Sequence, residues 1–394
     1  MHGITAYATY LPIHRVDLAD VATTLGTGAG AGVRIVAGPD EDTTTMAVEA
    51  ARQVARQRPV DCIWLATTRP AYLEKTNAAA FAFGDDDVIA DVIGTASATL
   101  ELLDRWRLPD ALAVEVWDDR FSLDALTGLT VDVVGAALGR AGLEQTDHVA
   151  IAAANQRLVK AVGARLGAGR GAVGGFAGAA HVGLALADLL DRIQPGETAL
   201  VVAVADGVDA IVVRATEAIA DARQDVPVAD QFRAGRPVAY ASYLTWRGVL
   251  RRQPPRRPDP QAPAAPPSLR ESAWKHALVA SRCTECDRTS LPPQRVCPAC
   301  GSVDTQEPVP VSDRRATVAT VTIDRLAYSL SPPVVMAVVD IDGGGRLVAE
   351  VTDAGPDEVR IGTRLEPTFR RIATSEGIHN YFWKLRPARS NHGK

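Results

Sequence analysis

The sequence predicts a layered α/β domain followed by a metal-stapled, small all-β module. Three observations carry this. Residues 1–225 alternate short apolar runs with helical patterns, four of the five cysteines fall within eighteen residues, and the chain beyond them turns to strand-like segments without helices. At 394 residues, 47% apolar and 23% charged, the chain holds enough apolar material for a sizeable core and two or three domains, which excludes wholesale disorder. Five cysteines, four of them clustered, exclude the disulfide framework of a small secreted protein.

In order along the chain, Cys62–Ala66, Val149–Ala153 and Ala199–Val204 read as buried strands, brief and bounded by polar or turn residues. Residues Thr45–Gln57, Ala98–Arg107, Leu123–Ala141, Gln156–Leu166 and Ala177–Arg192 carry helical patterns. Their alternation predicts a mostly parallel sheet layered with helices. Residues 229–252 form an amphipathic, partly helical segment carrying Tyr240, Tyr243 and Trp246. Proline then recurs too often for helix or central strand, so Pro254–Ser268 reads as an extended connector. Beyond the cysteines, Ala316–Ile323, Val334–Ile341, Arg346–Val351 and Arg364–Arg371 are strand-like, with Asp342–Gly345 as a turn, which fits a small antiparallel barrel of about five strands. The expected organisation is an α/β domain at 1–226, a helix and Pro/Arg-rich linker at 227–270, the cysteine module at 271–308 and a barrel at 309–394.

The first residues lack a basic region followed by a long apolar stretch, so no signal peptide is expected. No run of eighteen apolar residues occurs, which argues against a membrane span and makes the cytoplasm the expected location. Residues 1–226 carry 18 basic and 30 acidic groups, a net −12, whereas 227–394 carry 24 and 17, a net +7. Such a split suits two modules that dock on each other or on a polyanion, with nucleic acid and the phosphates of coenzyme A as candidate ligands.

Cys283, Cys286, Cys297 and Cys300 follow the spacing C-x2-C, ten residues, C-x2-C. Each pair sits on a tight turn that aims two thiolates at one ion, and two such turns complete a closed tetrahedral site. Asp287 and Gly301, directly after the second cysteine of each pair, suit that turn. Zinc is the expected occupant, with iron in a rubredoxin-like site as the alternative. Four thiolates leave no open coordination position, so the metal is expected to be structural.

The stretches RCTECDRTSLPPQRVCPACGS, DIDGGGRLVAEVTD and GIHNYFWKLRPA resemble the DUF35 family, which joins a rubredoxin-like zinc ribbon to an OB-fold and is associated with acyl-CoA. The resemblance covers about 150 residues and includes the helix before them. It implies a subunit that accompanies thiolase-like enzymes and helps complete a CoA or substrate site.

The first 225 residues resemble, in shortened form, the thiolase superfamily, in the style of ketoacyl synthase III and hydroxymethylglutaryl-CoA synthase. The matching stretches are DEDTTTMAVEAAR, ATTRPAYLEKTNAAA, ADVIGTASATLELL, IAAANQRLVKAVGARLG and GGFAGAAHVGLALADLL. Condensing enzymes of this kind hold a cysteine at a helix start, where the dipole favours thiolate. The resemblance puts Ala96 at that position, Ala152 where a histidine is expected and Phe176 where an asparagine is expected. Asn155 alone survives of the histidine motif. Cys62 lies in an apolar strand and reads as a buried, inert thiol. His181 could face the relic pocket around Ala96, Ala152 and Phe176, and His379 a partner's active site; His148 reads as a surface residue in a loop. Asp340 and Asp342 beside Gly343–Gly345 read as turn residues.

Together these imply no catalytic residue of its own, and an accessory scaffold subunit of a thiolase-type complex that makes or breaks carbon–carbon bonds in acyl-CoA substrates. The expected partners are a thiolase-like catalytic subunit and acyl-CoA, in a dimer or heterotetramer, without nucleic acid or membrane. The alternatives are a stand-alone hydroxymethylglutaryl-CoA synthase-like acyltransferase with unorthodox residues, and a single-stranded nucleic-acid-binding OB-fold protein.

Overall fold

A computed structural model describes residues 3–28, 30–60, 77–102, 104–106, 108, 114–167, 175–253 and 262–388. The chain divides into two compact units, Met1–Ala37 with Met46–Val238, and Gly38–Thr45 with Ala239–Lys394.

The first unit is built on one six-stranded sheet. Its strands are β1 (Gly3–Tyr10), β2 (Ala78–Gly84), β3 (Ala90–Thr99), β4 (His148–Ala153), β5 (Thr198–Ala205) and β6 (Gly207–Ala215), in the order β2-β1-β3-β6-β5-β4. All eight residues of β1 are buried, as a strand covered on both faces requires. The helices of this unit include α1 (Thr43–Gln57), whose first turn lies in the second unit, α2 (Asp119–Ala141), α3 (Gln156–Arg165) and α4 (His181–Leu190). Two of the apolar clusters of this unit lie against α2 and α4. One gathers Ala96, Leu126, Val134, Ile151 and Val202 around α2, and the other gathers Tyr7, Ala152, Leu184 and Val201 around α4. Neighbouring residues such as Ile151 and Ala152 join different clusters because successive strand side chains point to opposite faces.

The layered α/β class stands, but the sheet is not mostly parallel. Among the described residues of this sheet only β4 and β5 pair in parallel; the other neighbours run antiparallel. Parallel neighbours need a crossover of a dozen or more residues, and β5 reaches β6 through Asp206 alone. Gly207 makes that turn at φ 139°, where a Cβ would lie 2.3 Å from the Ala98 carbonyl oxygen.

Among the described residues, the helix expected at Ala98–Arg107 is not found either. Residues 90–99 are strand β3, and Arg105–Trp106 pairs with Glu115–Val116. Gly94, Ala96 and Ala98 turn inward while Thr95, Ser97 and Thr99 are exposed, a period of two that outweighs the helical reading. Gly94 is there for packing: a Cβ would meet the Ala137 carbonyl of α2 at 2.4 Å. Capped by Asp118 and left-handed Gly142, α2 is the one described helix long and apolar enough to cross a membrane. Its Leu126, Val133, Val134 and Ala137 belong to the core of this unit. The strand expected at Cys62–Ala66 lies outside the described residues.

The first unit continues through Val238 because its last stretch is fastened to β1. The buried Asp191 carboxylate accepts from Tyr7 Oη at 2.8 Å, Gln224 Nε2 at 2.9 Å and the Val228 N–H at 2.7 Å. Gln231, on α5 (Val228–Arg233), accepts from the Leu11 N–H at 3.1 Å.

The second unit carries α6 (Tyr240–Trp246), α7 (Ala265–Arg270) and α8 (Ser272–Ala277). Residues 265–268 are therefore helical rather than extended; Pro266 and Pro267 occupy the first helical positions, where the missing N–H is no loss and φ is preset. Most of the remaining connector, 254–261, lies outside the described residues. A three-stranded sheet follows, with β7 (Val279–Cys283) between β8 (Thr289–Ser290) and β9 (Gln306–Pro310). The chain then closes a five-stranded barrel from β10 (Ala316–Asp324), β11 (Val334–Ile341), β12 (Arg346–Val351), β13 (Arg364–Ser375) and β14 (Ile378–Pro387), ordered β10-β11-β12-β14-β13. Asp342 opens the expected turn and is held by Arg364 at 2.8 Å, whereas Asp340 lies on β11 rather than in the turn, paired with β12 and held by Arg346 at 2.7 Å.

Candidate functional site

The four cysteines are brought together by two turns of matching geometry. In the first, the Asp287 N–H donates to the Cys283 carbonyl at 2.9 Å with Asp287 at φ 60°; in the second, Gly301 donates to Cys297 at 3.0 Å with φ 75°. Each turn needs a left-handed residue in that place, which glycine adopts freely and aspartate tolerates. All four sulfurs lie within 4.8 Å of one another, with Cys283 to Cys300 at 3.7 Å and Cys286 to Cys297 at 3.5 Å. A tetrahedral ion bonded to sulfur at about 2.3 Å requires sulfurs roughly 3.8 Å apart, so the quartet fits.

The Ser302 hydroxyl lies 3.1 Å from both Cys283 and Cys300 sulfurs. That hydrogen bond pulls the Cys283 thiol down to about 5 and lowers Cys300 too. The Arg288 backbone favours the Cys286 thiolate, but the Cys297 thiol, burial and the Cys300 and Cys283 thiols together outweigh it and push Cys286 up to about 12. Sulfurs this close cannot all ionise unless a cation offsets their charge.

The relic positions do not assemble into one pocket. Ala96 lies in mid-strand, opposite Ala210, within the cluster facing α2. No helix begins there, so the helix-dipole environment attached to that position is missing. Ala152 lies in the other cluster with Ala177 and Leu184. Phe176 is 45% exposed, its ring edge against His181 at 5.0 Å between centroids. His181 is buried, and its Nδ1 accepts from the Ala177 N–H at 3.4 Å; burial lowers it to about 4, so it is a neutral packing residue. Asn155 caps α3 through the Arg157 N–H at 3.0 Å, a structural reason for asparagine at that place. His148 opens β4 rather than sitting in a loop, and meets Glu197 at 2.8 Å. His379 lies on β14, 2.8 Å from Thr374 Oγ1, and burial followed by the Arg371 charge holds it below the usual imidazole range. Cys62 lies outside the described residues. The aromatic residues Tyr381, Phe382 and Trp383 are engaged internally, with Phe369, Trp274 and Phe369 in turn.

Sequence reading missed a second cluster in the same unit. Lys384 Nζ lies 3.0 Å from Asp40 and 2.8 Å from Glu350. Arg370 pairs with Glu41 and, at 2.7 Å, with Asp353. Tyr381 donates to Asp42 at 2.9 Å. Burial pushes the Asp40 carboxyl upward, but Lys384 and then Arg370 outweigh it and hold it well below the usual carboxylate range. The available signal was Asp-Glu-Asp ahead of a helical pattern; sequence gave no hint of its partners.

The fold and thiolate cluster make the second unit a rubredoxin-like zinc ribbon followed by an OB-fold barrel. More particularly, it is similar to DUF35 domain-containing scaffold proteins, and it follows the layered α/β unit in the chain. Residues 272–304 match the family described as ChsH2, rubredoxin-like zinc ribbon domain, and residues 308–370 match ChsH2, C-terminal OB-fold domain. A DUF35 domain-containing scaffold protein of Methanocaldococcus jannaschii is 27% identical over 124 residues, covering 29% of this chain and 88% of that protein. Hydroxymethylglutaryl-CoA synthase of Methanothermobacter thermautotrophicus is 37% identical over 68 residues, 16% of this chain and 20% of the relative. The solved structure of MvaS in complex with 3-hydroxy-3-methylglutaryl coenzyme A is similar with a TM-score of 0.47 at 16% identity, covering 67% of this chain and 94% of that one.

Proposed function

We propose that this chain is a non-catalytic scaffold subunit of a thiolase-type acyl-CoA complex, working in the cytoplasm with a separate thiolase-like polypeptide that supplies the nucleophile. The observation that carries the reading is the ribbon-and-barrel unit, of the kind found in curated scaffold proteins, fused to an α/β unit with alanine in mid-strand at the expected nucleophile position. The ribbon's ion, zinc by the chemistry of four thiolates, would be structural: held by Cys283, Cys286, Cys297 and Cys300, it fixes the two turns and leaves no position for substrate. The chain would contribute a CoA-facing wall in a dimer or heterotetramer, and the chemistry would be acyl transfer, Claisen condensation or retro-aldol cleavage.

The short similarity to hydroxymethylglutaryl-CoA synthase favours one rival, a stand-alone acyltransferase. One assay separates them. The purified chain is mixed with acetyl-CoA and acetoacetyl-CoA, alone and with any thiolase-type polypeptide that co-purifies with it from the native host. The scaffold reading expects CoA release only from the mixture; release by the chain alone, or a labelled acyl group trapped on it, overturns the reading.

A further inference from the structure

We propose that the β13–β14 face of the barrel is a binding site for an acidic segment of polypeptide that opens a helix, and that Gly38–Thr45 is its built-in ligand. This segment interrupts the first unit in sequence yet belongs to the second. Its three consecutive acids each meet a different group, Asp40 with Lys384, Glu41 with Arg370 and Asp42 with Tyr381. Such a register reads the order of the side chains as well as their charge.

The backbone is read too. Strand β13 pairs with β10 only at Arg364 and Leu365, and further along the Arg371 N–H donates to the Asp40 carbonyl at 3.0 Å. Arg371 Nη2 donates to the Pro39 carbonyl, also at 3.0 Å. Capture of an extended segment at a strand in this way supplies affinity through main-chain bonds and specificity through side chains. The helix start is recognised as well: one oxygen of Asp42 accepts from the Thr45 N–H at 3.0 Å while the other meets Tyr381.

The barrel is prepared for this ligand. Asp353 holds Arg370 at 2.7 Å and Glu350 holds Lys384 at 2.8 Å, so both cations keep a carboxylate of the barrel when the segment leaves. Cations fixed beforehand bind with less loss of side-chain freedom. The ligand class is therefore an Asp-Glu-Asp run leading into a helix, and a second polypeptide presenting that pattern would compete with Gly38–Thr45. This site stands independently of the scaffold role proposed above.

The test uses the full chain with Asp40→Asn, Glu41→Gln and Asp42→Asn combined, asparagine preserving the helix cap. The probe is a fluorescein-labelled peptide of residues 36–48, followed by anisotropy at low salt. The vacated variant should bind it roughly tenfold or more tightly than the wild type, with affinity falling as salt rises. Adding Arg370→Gln should abolish the gain, and the same peptide carrying Asn-Gln-Asn should not bind. A variant of unchanged circular dichroism and metal content that binds no better than wild type overturns the proposal. If the triple variant does not fold, Tyr381→Phe serves instead: amide exchange over 38–45 should rise several-fold, and unchanged exchange overturns the proposal.

Discussion

Glu41 and Arg370 stand 329 positions apart and meet as an ion pair with both side chains fully buried. Around them, Asp353 and the Asp40–Lys384–Glu350 set extend a charged network against the barrel's β13 and β14. A network of this kind is sensitive to the loss of any one member, because the charge left behind has no water to turn to.

Arg370→Met strands two buried carboxylates and should cost about 3–5 kcal/mol. Thermal unfolding of the second unit should then shift down by roughly 10 °C. Adding Glu41→Leu should recover part of that loss, since removing both charges is milder than removing one. Calorimetry of the three variants checks the order wild type, double, single.

Two pH windows should separate the units. Buried His181 has its folded value lowered to about 4 against an ordinary 6.5, so the unfolded chain binds the extra proton. The first unit should lose stability as pH falls from 6.5 towards 4, by roughly 3 kcal/mol, and then level off. Asp40, held below its usual range, contributes fully above about 3.9, and its share of the second unit's stability should be lost only below that. Site-resolved amide exchange against pH tests both, and His181→Leu should flatten the upper window alone.

Removing the metal should unfold the ribbon, since ligand geometry and folding are coupled. Cys283→Ser, or a strong chelator, should release the ion and lower the melting of the second unit. Elemental analysis beside circular dichroism decides it; full metal content with unchanged melting would contradict the site.

Position 96 offers a sharper test. In mid-strand, facing α2 and 8% exposed, a cysteine there lacks both access and a helix start. Ala96→Cys should remain unacylated by acetyl-CoA when examined by mass spectrometry. Its neighbour is less tolerant: Gly94→Ala forces a Cβ to 2.4 Å from the Ala137 carbonyl and should cost about 1–3 kcal/mol in urea unfolding.

By itself the sequence determined what depends on near neighbours. C-x2-C spacing defined the metal quartet, down to the left-handed residues Asp287 and Gly301, because a turn of a few residues fixes where two sulfurs point. Helical periodicity located α2 and α3, and the strands flanking Asp342–Gly345 were readable from their apolar content and turn residues. The alternation Gly-Thr-Ala-Ser-Ala-Thr at 94–99 was also legible, yet small residues fit either period, and only pairing with β6 decided for strand. Tertiary structure alone decided the rest. It set strand direction, put Ala96 and Ala152 on opposite faces, and assigned Gly38–Thr45 to the barrel's unit. Ion pairs act through space, and among 42 basic and 47 acidic groups nothing local says which will be buried together. That choice belongs to the folded chain.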